Sequence, residues 1–267
     1  PTIQYSSSAK KIAMQQTVAV IGLGYVGLPL AVRAVERGYS VIGFDTHQEK
    51  IARINKQECP IEDAALDSLL KKFPFEATNQ PERLSEADIV LICVPTPVDE
   101  MYYPDLEPVI SAATLSATHL KPGALVILES TVNPGVSEEV ILPIFEKHGH
   151  RINKDVFLAH CPERINPGDE KWNVTNIPRV VGSVDPSGLE KALAFYRSIV
   201  DGEIRPMKSI REAEAVKVVE NSFRGSDPLP DLRSGNLGRG RVFHEIVDGY
   251  AAVPGEPGTQ ILDADGN

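Results

Sequence analysis

A glycine-rich turn between an apolar run and a helix-like segment constrains this chain more than any other feature of its sequence. The run Thr17–Ile21 is almost wholly apolar, which is typical of a strand buried in a parallel sheet. It leads directly into GLGYVG at residues 22–27, and residues 28–37 then place small and apolar side chains on one face of a helix. A G-x-G-x-x-G motif alone is a weak signal, but strand, turn and helix in this order predict a dinucleotide-binding unit.

Each glycine of this motif has a separate predicted task. Gly22 permits the tight turn, Gly24 lets the backbone approach a pyrophosphate, and Gly27 lets the helix pack closely on the strand. The start of the helix offers N–H groups and a positive dipole end to the phosphates. Asp45 follows the second predicted strand, roughly 20 residues on, where a carboxylate binds ribose hydroxyls and repels a 2′-phosphate. We therefore predict a site for NAD rather than NADP; the alternative is a structural glycine turn with a solvated Asp45.

Strand-like and helix-like segments alternate along the rest of the chain. This alternation predicts an α/β fold with a doubly wound, mostly parallel Rossmann-type sheet, followed by the start of a helical linker region. The predicted strands are 17–21, 40–44, 88–94, 124–128, 156–159, 179–182 and 203–206, and the predicted helices are 28–37, 48–55, 64–72, 106–120, 136–148, 187–199 and 210–224.

Changes in composition divide the chain into four segments. Residues 1–16 are polar and lack the apolar core of a signal peptide, so we predict a flexible leader. Residues 17–160 are the predicted NAD-binding Rossmann domain. Residues 161–224 are a predicted substrate-site segment with the start of a central helix. Residues 225–267 are roughly a quarter glycine and proline, and we interpret them as an atypical tail.

Bulk composition limits the partners of the protein. A formal net charge of −10 at pH 7 argues against nucleic acid or an anionic membrane as the main partner. No apolar run approaches the ~18 residues of a membrane-spanning helix. Cys59, Cys93 and Cys161 are too few and too scattered for a disulfide framework, so we predict a reducing, cytoplasmic location. We place Cys59 in a surface loop and Cys93 in a buried strand, and we predict no metal site.

Six motifs in a fixed order carry a family resemblance. They are GLGYVG at 22–27, VPTP at 94–97, PDL at 104–106, ESTVNPG at 129–135, PERINPG at 162–168 and AEAVKVVEN at 213–221. Together they resemble the UDP-glucose/GDP-mannose dehydrogenase family from about residue 17 to 224. The PERINPG form is most similar to the branch that acts on UDP-N-acetyl-hexosamines, because the UDP-glucose branch usually has a second glutamate where this chain has Pro167.

The resemblance implies NAD-dependent oxidation of C6 of a UDP-N-acetyl-hexosamine from alcohol to carboxylate, through an aldehyde captured by a cysteine and a thioester that is hydrolysed. It implies that Thr131 helps to hold a water or the reacting oxygen and that Glu163 assists thioester hydrolysis as a general base. It implies that Lys217 and Asn221 stabilise the oxyanion at C6. Their i, i+4 spacing places both on one helix face. The cofactor site is assigned, beside the three glycines and Asp45, to Tyr25, Val26, Lys50, Pro95, Thr96 and Thr131.

The candidate residues also have plainer interpretations. Taken alone, Lys217 is a solvated helix lysine and Asn221 lies near a helix end. Thr131 then simply ends a strand, Glu163 is a charge on a surface loop, and Thr96 is a turn residue between prolines. The ordered motifs favour the functional interpretation, with the constellation as the unit.

The chain departs from the family in its C-terminal part. The family nucleophile is a cysteine in a glycine-rich segment well downstream of the lysine–asparagine helix, and we find no such segment. Cys161 occupies a position where the family has serine or asparagine, so we interpret it as lining the site. The nucleotide-holding domain and most of the helix that forms the family's homodimer are missing as well. We therefore expect an incomplete chain that binds NAD but is inactive alone on its nucleotide-sugar substrate.

Two other functions stay open at this point. A two-electron β-hydroxyacid dehydrogenase also uses a Lys-x-x-x-Asn pair and needs no cysteine, but it does not explain the motifs at 129–135 and 162–168. The other alternative is a non-catalytic NAD-binding module.

Overall fold

The fold is a single twisted sheet with helices on both faces. The computed structural model describes residues 16–98, 104–163 and 175–225, with side chains up to residue 219. The strands are β1 (Thr17–Ile21), β2 (Ser40–Phe44), β3 (Glu76–Thr78), β4 (Ile89–Ile92), β5 (Ala124–Leu128), β6 (Val156–His160), β7 (Arg179–Ser183) and β8 (Ile204–Pro206). The helices are α1 (Gly27–Glu36), α2 (Gln48–Asn55), α3 (Ala64–Lys72), α4 (Glu107–His119), α5 (Leu142–Lys147), α6 (Pro186–Ile199) and α7 (Ile210–Gly225), with a 3₁₀ turn at Pro81–Glu86.

The strand order creates a switch point beside β1. In the sheet the strands run β3-β2-β1-β4-β5-β6-β7-β8, so the chain moves outward from β1 to β3 and then returns to the other side of β1. Neighbouring strands from β3 to β6 are parallel, whereas β7 is antiparallel to β6 and parallel to β8. In such sheets ligands bind at the carboxyl ends of the strands next to the switch point. The fold class is therefore the predicted one.

Both faces of the central strands β1, β4, β5 and β6 are buried, which explains why these strands are nearly continuous apolar runs in the sequence. One apolar core contains residues of α1, α3 and α6, and the other contains residues of α4 and α5. In β1, Val18 and Val20 belong to the first core and Ala19 and Ile21 to the second. This two-sided burial is the environment expected for a parallel sheet.

The structure departs from the sequence predictions at two short elements. β3 has only three residues and begins with an exposed glutamate, so no periodicity in the sequence predicted it. The helix predicted over 136–148 begins with a π-helical turn at Ser137–Ile141 before α5. Pro143, in the first turn of α5, has no N–H to donate to the regular ladder, which accounts for the altered turn.

The prediction that Cys59 lies in a surface loop is wrong, because its side chain is buried in the apolar core on the α1 side of the sheet. The Cys59 N–H donates to Asp67 at 3.0 Å, and Arg53 donates to the Cys59 carbonyl oxygen at 2.5 Å. These polar contacts turn the loop between α2 and α3 inward. Cys93 is buried, as its strand pattern predicted.

The sheet continues past residue 160, where the predicted Rossmann domain ends, and the predicted domain bounds stay a prediction. β7 pairs with β6 across this point, with His160 opposite Gly182, and β8 continues the sheet to Pro206. The described residues up to Val219 fall in one compact unit. The segments 1–16 and 225–267 lie almost wholly outside the described residues.

Candidate functional site

The glycine turn after β1 is shaped by two close backbone approaches. Gly22 has φ +92°, and a Cβ there would lie 2.8 Å from the carbonyl oxygen of Cys93. A Cβ on Gly27 would lie 1.9 Å from the carbonyl oxygen of Gly22. Any side chain at either position would displace the turn, so the geometry of the turn itself requires both glycines.

Gly24 is different, because a Cβ at this position would meet no protein atom within 4 Å. The adjacent first turn of α1 carries no acidic side chain, so the positive end of its dipole is not neutralised there. A pyrophosphate that approaches Gly24 would meet backbone only, and these residues therefore fit a dinucleotide. Tyr25 is 65% exposed and Val26 half-buried at the same turn.

Asp45 is a buried carboxylate that ties the glycine turn to the end of β2. Its Oδ2 accepts from the Leu23 N–H at 2.9 Å and from Lys50 Nζ at 2.7 Å, and its Oδ1 accepts from the His47 N–H at 3.0 Å. Burial alone would raise the pKa of Asp45, but these donors outweigh it and hold the pKa below its ordinary value. A charged acceptor therefore stands where the ribose of a dinucleotide is recognised.

The loops after β4 and β5 are joined by side-chain hydrogen bonds. Thr96 Oγ1 donates to the Thr131 carbonyl oxygen at 2.9 Å, and Ser130 Oγ donates to the Val94 carbonyl oxygen at 2.6 Å. β4 and β5 are parallel neighbours, so both loops lie at the same edge of the sheet as the glycine turn. The structure thus brings together Thr96 and Thr131, with Pro95 exposed beside them.

A buried ionic cluster lies at the ends of β5 and β6. The Arg179 guanidinium donates through Nη1 to Glu129 Oε2 at 2.9 Å and through Nη2 to Glu163 Oε2 at 2.8 Å. The Tyr196 hydroxyl donates to Glu129 Oε1. Arg179 and Glu129 are each 1% exposed and Glu163 is 7% exposed. Glu163 is therefore a buried, cation-bound carboxylate and not a charge on a surface loop.

Burial governs the titration of this cluster. It raises the pKa of Glu129 to about 7, because Arg179 opposes the desolvation only in part and Glu163 adds to it. Burial also raises the pKa of the Cys161 thiol to about 12, although Arg179 Nη1 lies 3.7 Å from its sulfur. A thiol in this state is a poor nucleophile, which supports the interpretation of Cys161 as a lining residue.

Helix α7 is anchored beside the loop that follows Thr131. Glu214 is fully buried and accepts from the N–H groups of Gly135 and Ser137 at 2.6 and 2.8 Å. Lys217 lies one turn further along α7 and is buried as well, so it is not a solvated helix lysine. The side chain of Asn221 lies outside the described residues, and its predicted pairing with Lys217 stays a prediction.

The sequence predictions missed four buried polar residues of this region. Glu129 directly follows the all-apolar strand β5, and Arg179 is the first residue of β7, directly before Val180 and Val181. A charge beside such apolar residues is the signal that could have revealed them. Tyr196 lies within α6, where no local pattern marks it. Glu214 lies within the motif at 213–221, in which the prediction singled out only Lys217 and Asn221. The missed residues are Glu129, Arg179, Tyr196 and Glu214.

No helix in the described parts of the chain combines the length and the apolar character needed to cross a bilayer. Nor do these residues bring three His, Cys, Asp or Glu side chains together as a metal site.

Comparison with known proteins identifies relatives. A model of the NAD-binding domain of the UDP-glucose/GDP-mannose dehydrogenase family matches residues 16–200. The chain is 39% identical over 208 residues to the UDP-N-acetyl-D-glucosamine 6-dehydrogenase of Pseudomonas aeruginosa, covering 78% of this chain and 49% of that protein. A solved UDP-N-acetyl-D-mannosamine dehydrogenase from Pyrococcus horikoshii is similar with TM-score 0.74 at 35% identity, covering 78% of this chain and 50% of that one.

The chain spans about half the length of the curated relatives it matches. A 3-hydroxyisobutyrate dehydrogenase from Mycobacterium tuberculosis is also similar, with TM-score 0.57 at 22% identity, over 79% of this chain and 60% of that one. This last likeness is one of fold alone.

Proposed function

The chain belongs to the UDP-glucose/GDP-mannose dehydrogenase family, and we propose that it supplies the NAD-binding half of a nucleotide-sugar 6-dehydrogenase. The proposed substrate is a UDP-N-acetyl-hexosamine, oxidised at C6 to the uronate that serves as a polysaccharide precursor. One observation carries the proposal: the glycine turn after β1 shares one sheet edge with Thr131 and the Glu129–Arg179–Glu163 cluster.

The proposed tasks of the residues follow from their positions. NAD, when bound, supplies the hydride acceptor. The backbone at Gly24 and the start of α1 bind the pyrophosphate, and Asp45 and Lys50 form hydrogen bonds with the ribose hydroxyls. Glu163, held by Arg179, takes a proton from the water that hydrolyses the acyl intermediate. Lys217 and Asn221 stabilise negative charge at C6.

A two-electron β-hydroxyacid dehydrogenase has less support, because its likeness to the chain is one of fold alone. It also gives no task to a buried carboxylate at the position of Glu163. The number of NADH molecules formed per sugar separates the two reactions.

We expect no steady conversion of a UDP-sugar to its uronate by this chain alone. Its three thiols are free and buried, so none is ready to capture an aldehyde.

The test incubates the purified chain with NAD and UDP-N-acetylglucosamine or UDP-N-acetylmannosamine and follows NADH. NAD binding without turnover is the expected result. Steady uronate formation would overturn the expectation, and its loss in Cys161→Ser would identify Cys161 as the nucleophile. Absence of NAD binding in calorimetry would refute the proposed function itself.

Two further properties, a location and an assembly, are proposed together with this function. A cytoplasmic location is supported by three free thiols, since a reducing compartment keeps cysteines unpaired. A homodimer is the assembly that the family resemblance implies.

A further inference from the structure

Two carboxyl groups compete for one guanidinium at the end of β5. Arg179 Nη1 lies 2.9 and 3.2 Å from the two oxygens of Glu129, and Nη2 lies 2.8 Å from Glu163 Oε2. All three side chains are more than nine-tenths buried, so water screens these interactions little. With all three groups ionised, these three side chains carry two negative charges and one positive charge.

The surplus charge favours a proton on one of the carboxyl groups. Arginine cannot give up its proton in a protein, so any proton that the trio takes up goes to a carboxyl group. Glu129 is the more deeply buried of the two, and the balance of burial, Arg179 and Glu163 raises its pKa to about 7. The charged and titratable groups that face Glu129 are Arg179 of β7, Glu163 and Cys161 after β6, Tyr196 of α6 and Cys93 after β4.

We propose that Glu129 is a positioning residue that acts on Glu163 through Arg179. When Glu129 is ionised, the guanidinium is shared between two carboxylates and holds Glu163 less strongly. When Glu129 is protonated, it no longer competes as a carboxylate for Arg179, and the guanidinium holds Glu163 more strongly. The consequence for catalysis rests on the proposed function, in which Glu163 takes a proton from water; the coupling between the carboxyl groups does not.

The test is a pH titration of the chain labelled with ¹³C at the glutamate carboxyl carbon, followed by NMR. The signals of the two residues are assigned from the spectra of Glu129→Gln and Glu163→Gln. We expect the Glu163 signal in the unsubstituted chain to show an inflection at the pH where Glu129 titrates. In Glu129→Gln, whose amide still offers an oxygen to Tyr196 and Arg179, this inflection should vanish.

Glu82→Gln is the matched control, because Glu82 is an exposed carboxylate on the 3₁₀ turn. The Glu163 inflection should survive in this variant. A Glu163 signal without an inflection in the unsubstituted chain, or one that persists in Glu129→Gln, overturns the proposal.

Tyr196→Phe provides a second measurement that does not depend on Glu129→Gln folding. It removes the hydroxyl that donates to Glu129, so the Glu129 midpoint and the Glu163 inflection should rise together. Movement of the Glu129 midpoint alone would refute coupling through Arg179. The titration reads only this coupling: a chain that never supports sugar oxidation would still show it, and its absence would leave NAD binding untouched.

Discussion

Replacing Asp45 by alanine should cost both stability and cofactor selectivity, by amounts that the structure sets. The carboxylate accepts from the N–H groups of Leu23 and His47 and from Lys50. Leu23 is fully buried, so its N–H would lose a charged acceptor with little access to water. We expect a loss of roughly 2–3 kcal/mol, with Lys50 contributing little because it is partly exposed.

Cofactor affinity should change by a comparable amount. Hydrogen bonds from ribose hydroxyls to a carboxylate contribute about 1.5–3 kcal/mol, so NAD should bind roughly 10- to 150-fold more weakly to Asp45→Ala. NADP should lose less or gain, because the carboxylate that repels its 2′-phosphate is gone. The preference for NAD should therefore shrink.

Calorimetric titration with both cofactors measures this change, and Asp88→Ala is the matched control. Asp88 accepts from the Thr17 N–H at 2.8 Å and pairs with Lys121 at 2.7 Å, but it does so at the opposite edge of the sheet. Asp88→Ala should lose stability and keep its NAD affinity. Equal affinity of the unsubstituted chain for NAD and NADP, or unchanged NAD binding by Asp45→Ala, would refute the assignment.

Three further predictions follow from described contacts. Gly27→Ala should unfold at a clearly lower temperature, because its Cβ would lie 1.9 Å from backbone, whereas Gly24→Ala should keep its melting temperature and bind NAD more weakly; equal melting temperatures would contradict this. Arg179→Met should cost about 3–5 kcal/mol in urea unfolding, since it leaves Glu163 and a second carboxyl buried without their cation, and a loss below about 1 kcal/mol would be inconsistent with the cluster. Burial lowers the pKa of His160 from 6.5 to about 3, so the unfolded chain takes up a proton in this window that the folded chain does not. Stability should fall as pH drops from 6.5 towards 3, by up to about 1.4 kcal/mol per pH unit. Urea unfolding of His160→Leu should show a flatter acid limb, and an identical one would contradict the reasoning.

The parts of the fold that the sequence predicted are those encoded locally. The unit from Thr17 to Glu36 is contiguous, and a strand, three glycines and a helix leave little choice of structure. The observed bounds of most predicted strands and helices also lie within a few residues of the predicted ones, because the apolar runs that pack on the sheet mark them. β3 was not predicted, because three residues, one of them an exposed glutamate, are too few to form a recognisable pattern.

The parts of the site that the sequence did not predict depend on distant pairs. Arg179 lies 50 residues from Glu129, and Glu214 lies 79 residues from Gly135. Nothing local to these residues indicates which buried partner each one meets, because the pairing depends on how β7 and α7 dock. Cys59 shows the same limit, since its burial follows from contacts to Arg53 and Asp67 that fold the loop inward.

The antiparallel pairing of β7 with β6 has a consequence for the alignment of these strands. Only two residue pairs join them, Ala159 with Ser183 and His160 with Gly182. A slip of one residue would preserve most backbone bonding but turn every side chain of β7 to the other face. The Arg179 guanidinium would then leave both carboxylates, so the ion pairs select a single alignment of the strands. The cluster thus fixes the register of β7 against β6, and with it the position of β8.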